Sequence, residues 1–173
     1  MHQTEDKQQN TAFIDGQNLY LGTKEDGWAV DHKRFRIYLK DKYGVLEAYY
    51  FLGFISEKEQ HLYDKLGEAG FMLIHKEHLP TLRGAKKGNV DSDIIFEVMK
   101  KLIDRELIGK VLIVSGDGDY KKLADYLIHK GVFKKILFPN KRFASSLYMD
   151  LGREMFDYLG ETDIRAKIAY AHT

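Results

Sequence analysis

Val114-Ser115-Gly116-Asp117-Gly118-Asp119 and Phe13-Ile14-Asp15-Gly16-Gln17-Asn18 are built to one plan. In each, an apolar run delivers an aspartate, and glycine follows close by. Glycine lets the backbone turn sharply or pass close to another group. Five runs read as strands: Ala12–Asp15, Leu46–Phe54, Phe71–His75, Val111–Ser115 and Lys135–Phe138. Four are mostly continuous apolar stretches rather than alternations, as expected for parallel strands buried on both faces.

Helical patterns lie between the strands. Asp31–Tyr43 carries Phe35, Tyr38 and Leu39 at helical spacing, with Gly44 to stop it. Ser56-Glu57-Lys58-Glu59 reads as a capping box opening a helix through Leu62, Tyr63 and Leu66, closed by Gly70. Asn89–Glu106 places Ile94, Ile95, Val98, Leu102 and Ile103 on one stripe, and Asp119–Lys130 ends before Gly131. The tail after Ser145 is predicted to be helical in short pieces, and Pro80 and Pro139 to end strands. Alternating strands and helices imply a parallel sheet covered on both sides. Such sheets bind ligands beyond the carboxyl ends of their strands.

Asp15 and Asp117 are therefore candidate site residues. The helix before the fourth strand supplies another. Asp91 lies three, four, seven and eleven residues before Ile94, Ile95, Val98 and Leu102, on the face that packs on the sheet. Asp93 sits roughly 200° away around the helix, with the solvated residues Glu97, Lys100 and Asp104. Crowded carboxylates repel unless a cation offsets their charge. Mg2+ takes carboxylate and phosphate oxygens. The expectation is an Asp15/Asp91/Asp117/Asp119 cluster holding Mg2+ or Mn2+. Plainer roles stay open. Asp119 could cap the next helix, Asp91 could answer a helix dipole, and Asp15 and Asp117 could be turn residues. Asn18 could cap a helix or orient Asp15 or a bound water.

Three ordered motifs, Phe13-Ile14-Asp15-Gly16-Gln17-Asn18-Leu19-Tyr20, Lys87-Gly88-Asn89-Val90-Asp91 and Val114-Ser115-Gly116-Asp117-Gly118-Asp119-Tyr120, resemble the NYN domain family (LabA-like proteins), a branch of the PIN-like nucleases. Ala144-Ser145-Ser146-Leu147 and a helical Met155-Phe156-Asp157-Tyr158-Leu159 form a weaker fourth match. The second motif carries one residue more than the family's usual Lys-Gly-Val-Asp. The resemblance implies a PIN-like three-layer α/β/α fold, with a parallel sheet of about five strands in the order 3-2-1-4-5. It also implies metal-dependent cleavage of RNA; metal-activated water attacking phosphorus in line with a leaving 3′-oxygen would give 5′-phosphate and 3′-hydroxyl ends. By motif position the resemblance implies Asp15, Asp91, Asp117 and Asp119 as the catalytic and metal-binding residues; Asn18 and Ser115 are candidate supporting residues.

A nuclease also needs cations and stacking surfaces. Arg83, Lys86 and Lys87 lead straight into Asp91 and are the candidate RNA-binding residues. Lys130–Arg142 carries Lys130, Lys134, Lys135, Lys141 and Arg142 without an acid. Tyr20, Trp28 and Tyr120 are candidate stacking aromatics.

Composition excludes other classes. The chain has 173 residues, a formal net charge of +1 and no cysteine. Disulfides, thiolate metal sites and cysteine nucleophiles are absent. RNA affinity must then come from local patches rather than bulk charge. Apolar runs are far short of the ~20 residues that span a bilayer. Met1–Asn10 is polar and reads as a disordered lead-in to one domain over 11–173. The expectation is a cytoplasmic protein, without a secretory leader, acting as a monomer or homodimer. Asp15 is followed by Gly16 and Gln17, so the Asp-x-Asp nucleophile of a dehalogenase-type phosphatase is missing. No phosphate-binding Gly-rich loop is present. Two rivals remain. One is histidine acid–base chemistry at His75 and His78; the other is a catalytically weak or inactive RNA-binding module of the same fold.

Overall fold

The computed structural model describes residues 8–76 and 90–171. Six strands form one fully parallel sheet: β1 Asn10–Asp15, β2 Val45–Phe54, β3 Met72–Lys76, β4 Val111–Val114, β5 Phe133–Phe138 and β6 Phe156–Tyr158. Their spatial order is β3-β2-β1-β4-β5-β6, the expected order extended by one strand. Helices α1 (Gly16–Glu25), α2 (His32–Tyr43), α3 (Gln60–Ala69) and α6 (Thr162–Ile168) contribute to the core on one face. Helices α4 (Asp91–Ile103) and α5 (Lys121–His129) cover the other.

Strand pleating divides the apolar runs between two cores. Ala12 and Ile14 of β1 and Leu112 and Val114 of β4 face the first; Phe13, Val111 and Ile113 face the second. This is why the central strands are continuous in apolar character. Both faces are covered, so neither position of the alternation meets water. The apolar stripe of α4 holds in part: Ile94 and Val98 are buried against the sheet and Ile95 and Leu102 pack partly buried beside them, but Ile103, the helix's last residue, faces solvent.

Local signals hold at several ends. Asp31 caps α2, its Oδ1 accepting from the Arg34 amide at 3.1 Å. Gly44, Gly70 and Gly131 close or follow helices with positive φ. Pro139 stands immediately after β5. Others yield to tertiary demands. The Ser56 hydroxyl caps nothing. Its amide donates to Tyr63 Oη, and a 3-10 turn at Glu57–Glu59 precedes α3. Helix α4 stops at Ile103, short of Glu106, where Arg105 takes a positive φ. Asn10 is a buried β1 residue rather than part of the lead-in. Its side chain donates to the Tyr43 carbonyl at 2.6 Å and accepts from the Lys110 amide at 2.9 Å. Residues 1–7, Pro80 and the expected start of a helix at Asn89 lie outside the described residues.

The tail departs most from expectation. Met155-Phe156-Asp157-Tyr158-Leu159 was expected to be helical, but Phe156–Tyr158 pairs with β5. An unpaired β5 would expose its backbone donors and acceptors, and pairing satisfies them. Phe156 and Tyr158 pack on Phe138. Asp157 points the other way, accepting from Tyr43 Oη at 2.6 Å and pairing with Lys135 at 3.2 Å and Arg153 at 3.2 Å. Burial alone would raise its pKa, but the bonds from Tyr43, Lys135 and Arg153 prevail and hold it below the usual value. A lowered carboxyl pKa stabilises the fold above the unfolded pKa, and that gain is lost as pH falls through the folded one. Asp157→Ala also leaves the Tyr43 hydroxyl without its acceptor. It is expected to destabilise the protein by about 1–3 kcal/mol at pH 7. The gap between the thermal melts of the two proteins should narrow as the pH is taken below 4, leaving the part that the Tyr43 hydroxyl contributes.

Candidate metal centre

The parallel register sets β1 beside β4, with Ile14 opposite Val114, so the residues that follow each strand emerge together. Asp15 closes β1 and begins α1. Its side chain is 4% exposed. Oδ1 accepts from the Asn18 amide at 3.1 Å, and Oδ2 accepts from the Tyr120 hydroxyl at 3.0 Å and the Ser115 hydroxyl at 3.4 Å. Burial raises the Asp15 pKa, the hydrogen bonds lower it, and the nearby Asp117 charge raises it; the net direction is up.

The loop after β4 is folded around its own polar groups. Ser115 Oγ accepts from the Asp117 amide at 3.1 Å, and Asp117 Oδ1 accepts from the Asp119 amide at 2.9 Å. Asp117, not Asp119, therefore caps the 3-10 turn Gly118–Tyr120 that leads into α5. The Tyr148 hydroxyl donates to the Asp117 carbonyl. The glycines make room for the chain itself. A Cβ on Gly118 would lie 2.6 Å from Ser145 Oγ and 2.9 Å from Leu147 Cδ1. A larger residue at 118 would force the Ser145 and Leu147 side chains to move from the segment that closes over the loop, where the Ser145 amide donates to the Gly116 carbonyl at 3.0 Å.

Asp91, in the first turn of α4, meets this loop. One carboxylate oxygen from each of Asp91, Asp117 and Asp119 lies within 4.8 Å of the others. Asp119 is the exposed member. Its hydrogen bond with Asp91 and the charges of Asp117 and Asp91 raise its pKa, the sign of repulsion that a cation would relieve. Three crowded carboxylate oxygens, with hydrogen-bonded Asp15 nearby, suit a hard divalent cation.

Three of the four expected aspartates thus gather, and the fourth stands outside the trio, tied to Tyr120, Ser115 and the Asn18 amide. Asp93 goes elsewhere, 4.0 Å from Lys76. The Asn18 side chain does not orient Asp15. Its Oδ1 accepts from the Gly116 amide at 2.8 Å and ties α1 to the loop that carries Asp117. Ser115 does support Asp15, as expected. Tyr120 and Trp28 are not stacking surfaces: Tyr120 is fully buried beneath Asp15, and Trp28 is buried under Arg165. Tyr20 is exposed. Tyr148 and Phe143 were not singled out by the sequence, because nothing local links them to Asp117. The Lys130–Arg142 cations scatter. Lys135 pairs with Asp157, Arg142 with Asp26 at 3.3 Å, and Lys130 and Lys141 lie over tyrosine rings. His75 packs edge-on against Tyr63. His78, Arg83, Lys86 and Lys87 lie outside the described residues.

The NYN domain matches residues 11–150. The chain belongs to the NYN domain family. This is a family of PIN-like nucleases, and its match spans β1, α4 and the loop after β4. The chain is also 24% identical over 165 residues to the low amplitude and bright protein LabA of Synechococcus elongatus, covering 90% of this chain and 85% of that protein. A Vibrio parahaemolyticus protein of unknown function has the same fold, with a TM-score of 0.75 at 22% identity, covering 97% of this chain and 99% of that one. Among the described residues of this NYN domain, no helix is long and apolar enough to cross a membrane.

The electrostatics of the NYN site have two measurable consequences. A carboxyl whose folded pKa is raised costs stability as pH rises through that value. Asp15→Asn loses the charge and keeps one acceptor oxygen, for the Asn18 amide, while its NH2 faces the Tyr120 and Ser115 hydroxyls, which can turn to accept. Its melting temperature is expected to match or exceed that of the parent at pH 7, with the advantage shrinking toward pH 3. Asp119→Asn relieves repulsion in the trio. In EDTA it should melt at or above the parent temperature. Added Mn2+ should raise the parent's melting temperature more than the variant's, because a ligand stabilises only the state that binds it.

Proposed function

We propose that this NYN domain is a Mg2+- or Mn2+-dependent ribonuclease that hydrolyses phosphodiester bonds in RNA. The observation that carries this reading is the convergence of Asp91, Asp117 and Asp119 within 4.8 Å at the carboxyl edge of the sheet. A domain that only bound a polyanion would gain nothing from gathering carboxylates where phosphate must approach.

Asp91, Asp117 and Asp119 would hold the ion. Bound there, it would supply Lewis acidity toward a phosphate oxygen and make water a stronger nucleophile near neutral pH. Asp117 is held on both sides, by its own bond to the Asp119 amide and by Tyr148 on its carbonyl. Its carboxylate therefore needs little reorganisation when charge develops at phosphorus. Asp15 adds a hydrogen-bonded negative charge nearby, and Asn18 keeps the Gly116 backbone in register with α1. In the reaction water adds to phosphorus, the bond to the 3′-oxygen breaks, and that oxygen leaves with a proton. The products carry 5′-phosphate and 3′-hydroxyl ends. Arg83, Lys86 and Lys87 precede Asp91 directly in the chain and are assigned to neutralising the RNA backbone.

Labelled single-stranded and structured RNAs incubated with the pure protein test this. Cleavage is expected with Mn2+ or Mg2+, none with EDTA, and Asp117→Asn should lose roughly 100-fold or more in rate while remaining folded. Binding without turnover would make the domain an RNA-binding module instead. Cleavage in EDTA that left 2′,3′-cyclic ends would move the chemistry to histidine.

A further inference from the structure

Beside the loop that carries Asp117 lies a cleft of about 480 Å3. Gly116 and Asn18, the pair joined by the 2.8 Å hydrogen bond, line it. Leu21, Gly22, Lys24 and Glu25 of α1 contribute one part of its surface; Pro139, Asn140 and Phe143, after β5, contribute another. Gly22 and Pro139 sit so close that a Cβ on Gly22 would approach Pro139 Cβ to 2.8 Å.

Phe143 is the unusual member. Its backbone is anchored on both sides. Buried Asn140 donates to the Gly22 carbonyl at 2.9 Å and accepts from the Arg142 amide at 3.0 Å, while the Ser145 amide is bonded to the Gly116 carbonyl at 3.0 Å. Yet the Phe143 side chain is 60% exposed, and it belongs to neither core. A large apolar ring on a well-anchored backbone, facing water, is pre-organised for a partner. The Arg142 guanidinium, paired with Asp26 at 3.3 Å, lies over one face of the ring, 5.4 Å from its centre. On α1 the Lys24 ammonium lies 5.5 Å from the centre of the exposed Tyr20 ring. Aromatic faces alternating with cations are what single-stranded nucleic acid uses, because every base has a π-face and every linkage a charge.

The lining also separates a base from a phosphate. A phosphate channel would be lined by cations alone. This cleft has one lysine, one glutamate and much apolar surface, which suits a planar group with polar edges. We propose that the cleft receives an unpaired nucleobase of the RNA strand whose phosphate lies at the aspartate trio, with Phe143 as its stacking platform. The inference rests on the ribonuclease reading of those aspartates and makes unpaired RNA the preferred substrate. Duplex RNA keeps its bases stacked inside and cannot fill the cleft.

A double-mutant cycle tests it. Cleavage efficiency, kcat/KM in Mn2+, is measured for the parent and Phe143→Ala on a single-stranded oligoribonucleotide and on the same oligonucleotide carrying abasic positions. On the intact strand Phe143→Ala is expected to lose roughly 5- to 100-fold, the value of one base–aromatic stack. On the abasic strand the two proteins should be equal within a factor of about two. Phe143→Trp should retain parental efficiency on the intact strand. Melting temperature and Mn2+ titration of Phe143→Ala should match the parent, which excludes misfolding or a damaged metal site as the cause. Equal losses on both strands, or no loss on the intact strand, would overturn the stacking role while leaving the ribonuclease reading in place. If the parent cleaves no RNA, that reading fails by itself. The same four combinations, measured as fluorescence anisotropy, then decide whether the cleft binds a base.

Discussion

Like charges held close together are the constraint on which the site depends. Asp91, Asp117 and Asp119 present oxygens within 4.8 Å of one another, an arrangement that costs free energy in the absence of a cation. The fold sustains it by spending stability generated elsewhere. β1 and β4 are buried on both faces between two apolar cores, and their ends cannot separate without exposing those cores. Asp91 is carried in by α4, whose apolar stripe leaves no freedom to rotate its first turn away from the sheet.

The hydrogen bonds around the trio are arranged to resist its repulsion. Tyr120, fully buried in the second core, reaches up to Asp15; Ser115 touches both Asp15 and the Asp117 amide; Asn18 joins α1 to Gly116. Segment 143–148 then closes over the loop, with Tyr148 on the Asp117 carbonyl and Ser145 on that of Gly116. Local strand-to-helix turns are thereby locked by a segment that lies after β5 in the chain. The sixth strand matters for the same reason. It pairs with β5, packs on Phe138 and ties back to α2 through Asp157 and Tyr43, so the segment that closes over the site is anchored at both ends.

Much of this could be read from residue order. Continuous apolar runs marked buried parallel strands, and helical spacing placed Asp91 on the sheet-facing side and Asp93 off it, as observed. The motifs around Asp15, Asp91 and Asp117 named the family. What could not be read was anything set by residues far apart in the chain. The capping-box pattern at Ser56 lost to a hydrogen bond from its amide to Tyr63. Helical spacing in Met155–Leu159 lost to the open edge of β5, which only the assembled sheet presents. Tyr120 followed the acidic motif and could have been a surface ring; the second core claimed it.

The amino-acid order by itself determined the fold class and which aspartates lie at strand ends and helix starts, because periodicity and turn chemistry act over a few residues; the strand order as far as β5 came only with the family resemblance. Tertiary structure alone decided that three carboxylates meet while Asp15 is bound apart from them, that β6 completes the sheet, and that Phe143 stands exposed beside the loop that carries Asp117. Each of these depends on contacts between segments distant in the chain, whose strength is set by packing and by the loss of water around them rather than by local preference.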